Sequence, residues 1–154
     1  MGIPLDRKSL LKTLNLSRFT AFDFETTGLD PYNDRIIEIA AIRFEDGEIT
    51  DRYVELINPE RPISRMITEI TGISNKMVQN APTEETIIDD FLYFLGNDPL
   101  VAHNIHFDDQ FLSVMCDRLG RNKGNNINYD TLQLSRSLFF DQPVFNLGAL
   151  SEYF

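Results

Sequence analysis

The sequence holds a single cysteine, Cys116, and so closes no internal disulfide. It falls among apolar residues in a helical pattern and reads as a buried, inert thiol. Tryptophan is absent, so large aromatic packing falls to twelve phenylalanines, a bias from which no function follows. No apolar run reaches the roughly 18 residues of a membrane span, and no membrane partner is expected. Residues 1–16 are polar and amphipathic, without the apolar stretch and small-residue cleavage site of a secretory signal. With no disulfide to protect, these features predict a reducing cytoplasm. Positive charge is also scarce: 14 Lys and Arg against 24 Asp and Glu leave a formal charge of −10. Broad phosphate-wrapping surfaces are usually basic, so a large DNA-wrapping face is not expected. An acidic protein can still act on a phosphodiester if bound divalent cations supply the positive charge locally.

The 154 residues are enough for one domain with a real core. Leucines at helical spacing over 7–14 predict a short leading helix. Residues 19–24 and the apolar run 36–44 predict two strands, with 28–31 breaking the chain between them. Residues 45–47 read as a hairpin turn, with Gly47 supplying a positive φ, and 49–57 returns as a third strand. Ser64 and Ser74 are candidate caps for helices ending near 70 and 79, and a stronger helix runs from Thr83 to Gly96. A strand at 100–103, a helix at 107–119, a strand at 127–129 and a helix at 131–139 follow. Asn146 is a candidate cap for a last helix. This order predicts an α/β layered domain with a mixed sheet, and the pattern alone names no function.

Two acidic segments carry chemistry. Asp23 and Glu25 close the first strand. Residues two apart on a strand share a face, so two carboxylates stand side by side. Each resists ionising unless a cation sits between them, and oxygen ligands of this kind suit Mg²⁺ or Mn²⁺. A pair of solvated surface acids is the plain alternative, against which the flanking Phe22 and Phe24 argue for a central strand. The second segment is 103–112. It follows a buried strand and opens a helix, with Asp108 in the first turn, where the helix dipole favours a carboxylate whether or not it has another task. His103 and His106 lack the cysteines or third histidine of a zinc site.

The sequence Asp23-Phe24-Glu25-Thr26-Thr27-Gly28-Leu29, then 36–40 (Ile-Ile-Glu-Ile-Ala), then His103-Asn104 with Phe107-Asp108 and Phe111-Leu112, resembles the DEDD (DnaQ-like) exonuclease family. The family includes proofreading exonucleases of bacterial replicative polymerases. Ile70-Thr71-Gly72-Ile73 and Asp130-Thr131-Leu132 match its pattern too, and the likeness runs from about Phe19 onward. The resemblance implies a ribonuclease H-like three-layer fold with a mixed five-stranded sheet. Residues 1–16 then read as a helical lead-in, and the resemblance implies an exonuclease domain over 17–154 with its C-terminal motif missing. It implies two divalent cations, Mg²⁺ or Mn²⁺, with Asp23 bridging both, Glu25 binding one and Asp108 supporting the other. The implied reaction is 3′→5′ hydrolysis of a single strand, DNA rather than RNA, giving 5′-nucleoside monophosphates. The implied partner is a DNA polymerase subunit. Thr26, Thr27 and Leu29 match positions beside the terminal nucleotide, with Leu29 a wedge against the base. His103, Asn104 and Phe107 match positions lining the strand path. Core packing is the competing reading for Leu29 and Phe107. Asp130 matches a structural acid at a helix start rather than a ligand.

The likeness stops short of the family's third motif, a histidine and a final aspartate on a helix. No histidine follows Asp108. A truncated chain and a naturally inactive, fold-retaining interaction module both explain this. Truncation is preferred because the other motifs are intact. An RNA-trimming exonuclease is the remaining alternative. Loss of a general base costs about 10²–10⁴-fold, so weak metal binding and little hydrolysis are expected of this sequence by itself.

Overall fold

The structure is a computed structural model and describes residues 7–13, 16–139 and 143–153. Seven helices and five strands are described: α1 (Arg7–Thr13), β1 (Arg18–Thr26), β2 (Ile36–Glu45), β3 (Glu48–Leu56), α2 (Arg65–Thr71), α3 (Asn75–Val78), α4 (Glu84–Leu95), β4 (Leu100–Ala102), α5 (Ile105–Leu119), β5 (Asn128–Asp130), α6 (Thr131–Leu138) and α7 (Leu147–Tyr153). The sheet order is β3-β2-β1-β4-β5. The first three strands run antiparallel, whereas β4 is parallel to β1 and β5 to β4. This is the mixed five-stranded α/β fold expected from the sequence. Leu14 of the expected first helix lies outside the described residues.

Local chemistry explains the boundaries. The β2–β3 hairpin turns on Asp46 and Gly47, with φ of 50° and 85°. Two successive positive φ values match the right-handed strand twist, and the aspartate takes one of them beside the expected glycine. The Ser64 hydroxyl accepts the Ile67 amide and caps α2, and Gly72 ends it in the left-handed conformation. Ser74 and Thr83 stand at the starts of α3 and α4 but cap neither with a side chain. Asn146 does cap α7, accepting the Ala149 amide at 2.8 Å. β1 runs two residues beyond the expected end, which keeps both Glu25 and Thr26 in the strand. α5 begins two residues early, at Ile105.

Alternation along β1 divides the sheet. Thr20, Phe22, Phe24 and Thr26 are buried, whereas Ala21, Asp23 and Glu25 are on the more open face. Phe22 and Phe24 pack with Phe91, Phe94, Phe111, Leu112 and Met115 of α4 and α5 in the main core. Cys116 is buried there, and its thiol is pushed up to about 11 by burial, which keeps it unreactive. A second cluster, Ile37, Ile63, Ile67, Ile73 and Val78, seats α2 and α3. Asp98 ties the sheet to the α4–β4 turn, accepting from Arg18 (2.8 Å), Thr20 (3.2 Å) and Arg43 (3.0 Å). Glu84, buried at the start of α4, accepts the Ile36 amide (3.2 Å) and an Arg118 nitrogen (2.6 Å). One acid thus joins β2, α4 and α5.

Candidate active site

The site is built where β1 outruns its parallel neighbour. β4 pairs with β1 only at Thr20 and Ala21, so the edge of β1 beyond them has no strand partner. The Phe24 amide lies on that stretch. Asp108, in the first turn of α5, accepts it at 3.0 Å. A buried amide without a partner is costly, so this bond fixes the helix start against the strand. The cost falls on Asp108. It is 2% exposed, and burial, with the nearby charge of Asp23 and to a lesser degree Glu25, pushes its carboxyl up to about 7.

Asp23 and Glu25 share the open face of β1, as alternation requires. The Asp23 pKa is raised by loss of part of its surrounding water, an effect the nearby His103 partly offsets. Burial also raises Glu25, and the charges of Asp23 and Glu38 add to it. Glu38 stands directly across from Glu25 in the β1–β2 register. Like charges placed opposite each other on a sheet repel. The sequence reading missed this fourth acid as a neighbour, because it is placed there by the register between two strands, which runs unbroken from Arg18–Glu45 to Glu25–Glu38.

The other candidate residues fall into two groups. On one side, the β1–β2 loop is bound to itself. The Thr26 hydroxyl donates to the Gly28 carbonyl (2.6 Å), and the Thr27 hydroxyl donates to Asp34 (3.1 Å) and accepts the Arg35 amide (3.0 Å). Asp30 accepts from the Tyr32 amide and the Asn33 side chain, which hold its carboxyl below the usual range. The loop is therefore preformed. It holds Leu29 in solvent, 83% exposed, which rules out core packing for that residue. On the other side, Asn104 adopts a left-handed backbone (φ 64°) just ahead of α5, and its amide donates to Asp130 at 3.0 Å. The same Asp130 oxygen accepts the Leu132 amide (2.8 Å) and caps α6. His103 Nδ1 is 3.1 Å from Thr131 Oγ1, whose proton is given to the Ala102 carbonyl at 3.3 Å. Nδ1 is thus left to donate. Phe107 is half-buried and packs on Phe111 with ring centroids 4.9 Å apart, so it belongs partly to the core. Between Asp23, His103 and Leu147 lies an apolar hollow of about 250 Å³ floored by Ala21, Ala40 and Ile42.

Among the described residues, no three His, Cys, Asp or Glu side chains stand close enough to hold one metal ion as placed. One Asp108 oxygen is engaged by the Phe24 amide. The donor chemistry nonetheless fits a hard divalent cation. Asp23 adds to the raised pKa of both Glu25 and Asp108, so the three carboxylates have oxygen ligands to offer and negative charge to relieve.

The family model described as Exonuclease (RNase_T) matches residues 20–154. The chain belongs to this exonuclease family. A PolC-type DNA polymerase III of Caldanaerobacter subterraneus subsp. tengcongensis is 43% identical over 153 residues, covering 99% of this chain and 11% of that protein. The PolC-type DNA polymerase III of Bacillus subtilis (strain 168) is 40% identical over 154 residues, again 99% of this chain and 11% of its own length. The chain thus spans about a tenth of these relatives. Among solved structures, exonuclease I without ligand superposes with a TM-score of 0.72 at 22% identity, over 82% of this chain and 32% of that one. E. coli exonuclease I in complex with a dA16 oligonucleotide gives 0.71 at 22% identity, over 82% and 31%. At this identity the structural likeness establishes the fold.

Membership in the exonuclease family is in keeping with the expected nuclease class. The expected layered fold with a mixed five-stranded sheet is borne out by the strand order and by the superposition on exonuclease I. Within this exonuclease domain, no helix among the described residues is long and apolar enough to cross a membrane.

Proposed function

We propose that this exonuclease domain removes nucleotides from the 3′ end of a DNA single strand by hydrolysis that depends on two divalent cations, Mg²⁺ or Mn²⁺. One observation carries the reading: Asp23 and Glu25 share one face of β1, and Asp108 is buried close enough for their charges to raise its pKa. Asp23, Glu25 and Asp108 are the residues that would hold the cations. Bound there, the cations supply an activated water, a clamp on the scissile phosphate and stabilisation of the leaving 3′ oxygen.

The remaining residues bind and orient. Leu29, displayed by the self-bonded loop, presses against the terminal base. Thr26 and Thr27 act by holding that loop, since their hydroxyls are committed within it. His103 places a ring nitrogen near Asp23, while Asn104 and Phe107 shape the path of the strand. Similarity to PolC-type polymerases supports a DNA substrate and action as part of a polymerase assembly. The test is a pair of single-stranded DNA substrates, one labelled at each end, incubated with Mn²⁺ and the full-length protein. Immediate release of labelled mononucleotide from the 3′-labelled strand, with a ladder from the 5′-labelled one, is expected. Mononucleotide release from the 5′ end first, or none from either, overturns the reading.

A further inference from the structure

We propose that Arg35, Arg61 and Lys76 form a phosphate-binding track that holds the nucleic-acid backbone leading away from the carboxylate cluster. The proposal rests on the exonuclease reading and adds to it a site for the phosphodiesters upstream of the reacting one.

Six of the 14 Lys and Arg are neutralised by ion pairs among the described residues. Arg18, Arg43, Arg65, Arg118, Arg121 and Lys123 each meet a carboxylate. Arg35, Arg61 and Lys76 have no ion pair among the described residues, yet they stand together. Arg35 and Arg61 both donate a guanidinium nitrogen to the Asn33 carbonyl, the contact with Arg35 measuring 3.4 Å. Arg61 and Lys76 border one groove of about 480 Å³, with Asn58, Asn75 and Gln79 among its other walls and no acidic side chain lining it. Three positive groups held against self-repulsion, in a chain of net charge −10, make a local field that favours an anion.

The neighbouring acids Asp30 and Asp34 are bound within the loop and do not line the groove. Both Asp34 oxygens are engaged within the loop, one by the Thr27 hydroxyl and the other by the Asp30 amide. Asp30 is bound to Tyr32 and Asn33. Glu60, the nearest acid in sequence to Arg61, is outside the groove lining. Position links the track to the carboxylates. Arg35 immediately precedes β2, whose first residue pairs with Thr26 and whose Glu38 faces Glu25. The β1–β2 loop therefore runs from the acidic strand end to the cationic pair, and Arg61 carries the path on into the groove. On the same loop Tyr32 is 76% exposed, a free ring on which a base can stack. Cationic grooves interleaved with exposed rings suit a single strand without regard to sequence.

The test is fluorescence anisotropy with 5′-labelled, phosphorothioate-protected oligothymidylates in Mn²⁺. One has about three nucleotides and one about ten, below and within the usual site size of a single-strand groove. Three proteins are compared: wild type, Lys76→Gln, and the combination of Arg35→Gln, Arg61→Gln and Lys76→Gln. The wild type should bind the longer strand more tightly. The salt slope for that strand should shrink by about 0.7 in Lys76→Gln and by about 2 in the combination. Lys76 is exposed, so its replacement leaves folding intact even if the combined variant disturbs the loop. Unchanged slopes in both variants overturn the track and leave the exonuclease reading standing. Absence of binding at either length in the wild type overturns both. Replacing chloride by inorganic phosphate at equal ionic strength should leave the longer strand bound; complete displacement would show a pocket for free phosphate and overturn the track.

Discussion

The buried carboxylate of Asp108 accepts the backbone amide of Phe24, 84 positions earlier in the chain, at 3.0 Å. This bond holds α5 against the free edge of β1, and it sets an acid into a place where ionisation is penalised. Structure and charge therefore pull in opposite directions at one residue.

That conflict predicts an inverse pH dependence for the metal-free protein. The folded pKa of Asp108, about 7, exceeds its unfolded value of 3.8, so the native state binds more protons between the two. Its stabilising contribution is full below the unfolded value and is lost as pH rises through about 7. Asp23 and Glu25 shift in the same direction. Thermal denaturation in chelator should show Tm falling as pH rises toward 8. The accompanying loss of stability should reach a few kcal/mol, at roughly 1.4 kcal/mol for each tenfold difference in proton affinity between the folded and unfolded chain. Asp108→Asn keeps an oxygen for the Phe24 amide and removes the charge. It should melt higher than wild type at pH 8 and show a flatter pH profile. A Tm that rises with pH in both proteins contradicts this account.

Asp23→Ala should reduce nucleotide release by at least about 100-fold, the scale on which one transition-state-stabilising group acts. Single-turnover assays of the full-length protein measure it. Activity retained within a few-fold would place the chemistry elsewhere.

Gly28 is required by contact rather than by conformation. A Cβ there would lie 2.3 Å from the Asp34 carboxylate that clasps Thr27 and Asp30. Gly28→Ala should destabilise by about 1–3 kcal/mol through overpacking, read by chemical denaturation. It should also loosen the loop that displays Leu29, raising KM more than it lowers kcat. An unchanged midpoint would show that the clasp is dispensable.

Asp130 holds the two helix starts together, accepting Asn104 from one and capping the other. Asp130→Ala should cost about 1–2 kcal/mol, the usual range for a lost cap. Asp130→Asn, which keeps an acceptor, should recover most of it. If Asn and Ala variants melt alike, the hydrogen bonds are not the source of the stability.

The sequence exposed what depends on local periodicity. Alternation in β1 was enough to place Asp23 and Glu25 on one face, and the helical pattern around Cys116 was enough to bury it. Asp130 at a helix start was readable from its match to the family's Asp-Thr-Leu pattern. What stayed hidden depends on partners far apart in the chain. Nothing near Asp98 announces that Arg18 and Arg43 will converge on it, and nothing near Glu84 points to Arg118. The left-handed turn at Asn104 and the facing of Glu25 by Glu38 follow from sheet register and loop closure. The fates of Leu29 and Phe107 differ for the same reason: only the folded loop shows that the first is solvated and the second rests on Phe111.

The central claim is that the like charge gathered at Asp23, Glu25 and Asp108, where Asp23 raises the pKa of the other two, is relieved by divalent cations. Calorimetric titration with Mn²⁺ tests it most directly, run at pH 6 and at pH 8 in buffers of differing ionisation enthalpy. The account predicts tighter binding at pH 8, proton release on binding at pH 6, and loss of the signal in the Asp23→Asn, Glu25→Gln double variant. Binding that is independent of pH and survives in the double variant would contradict it.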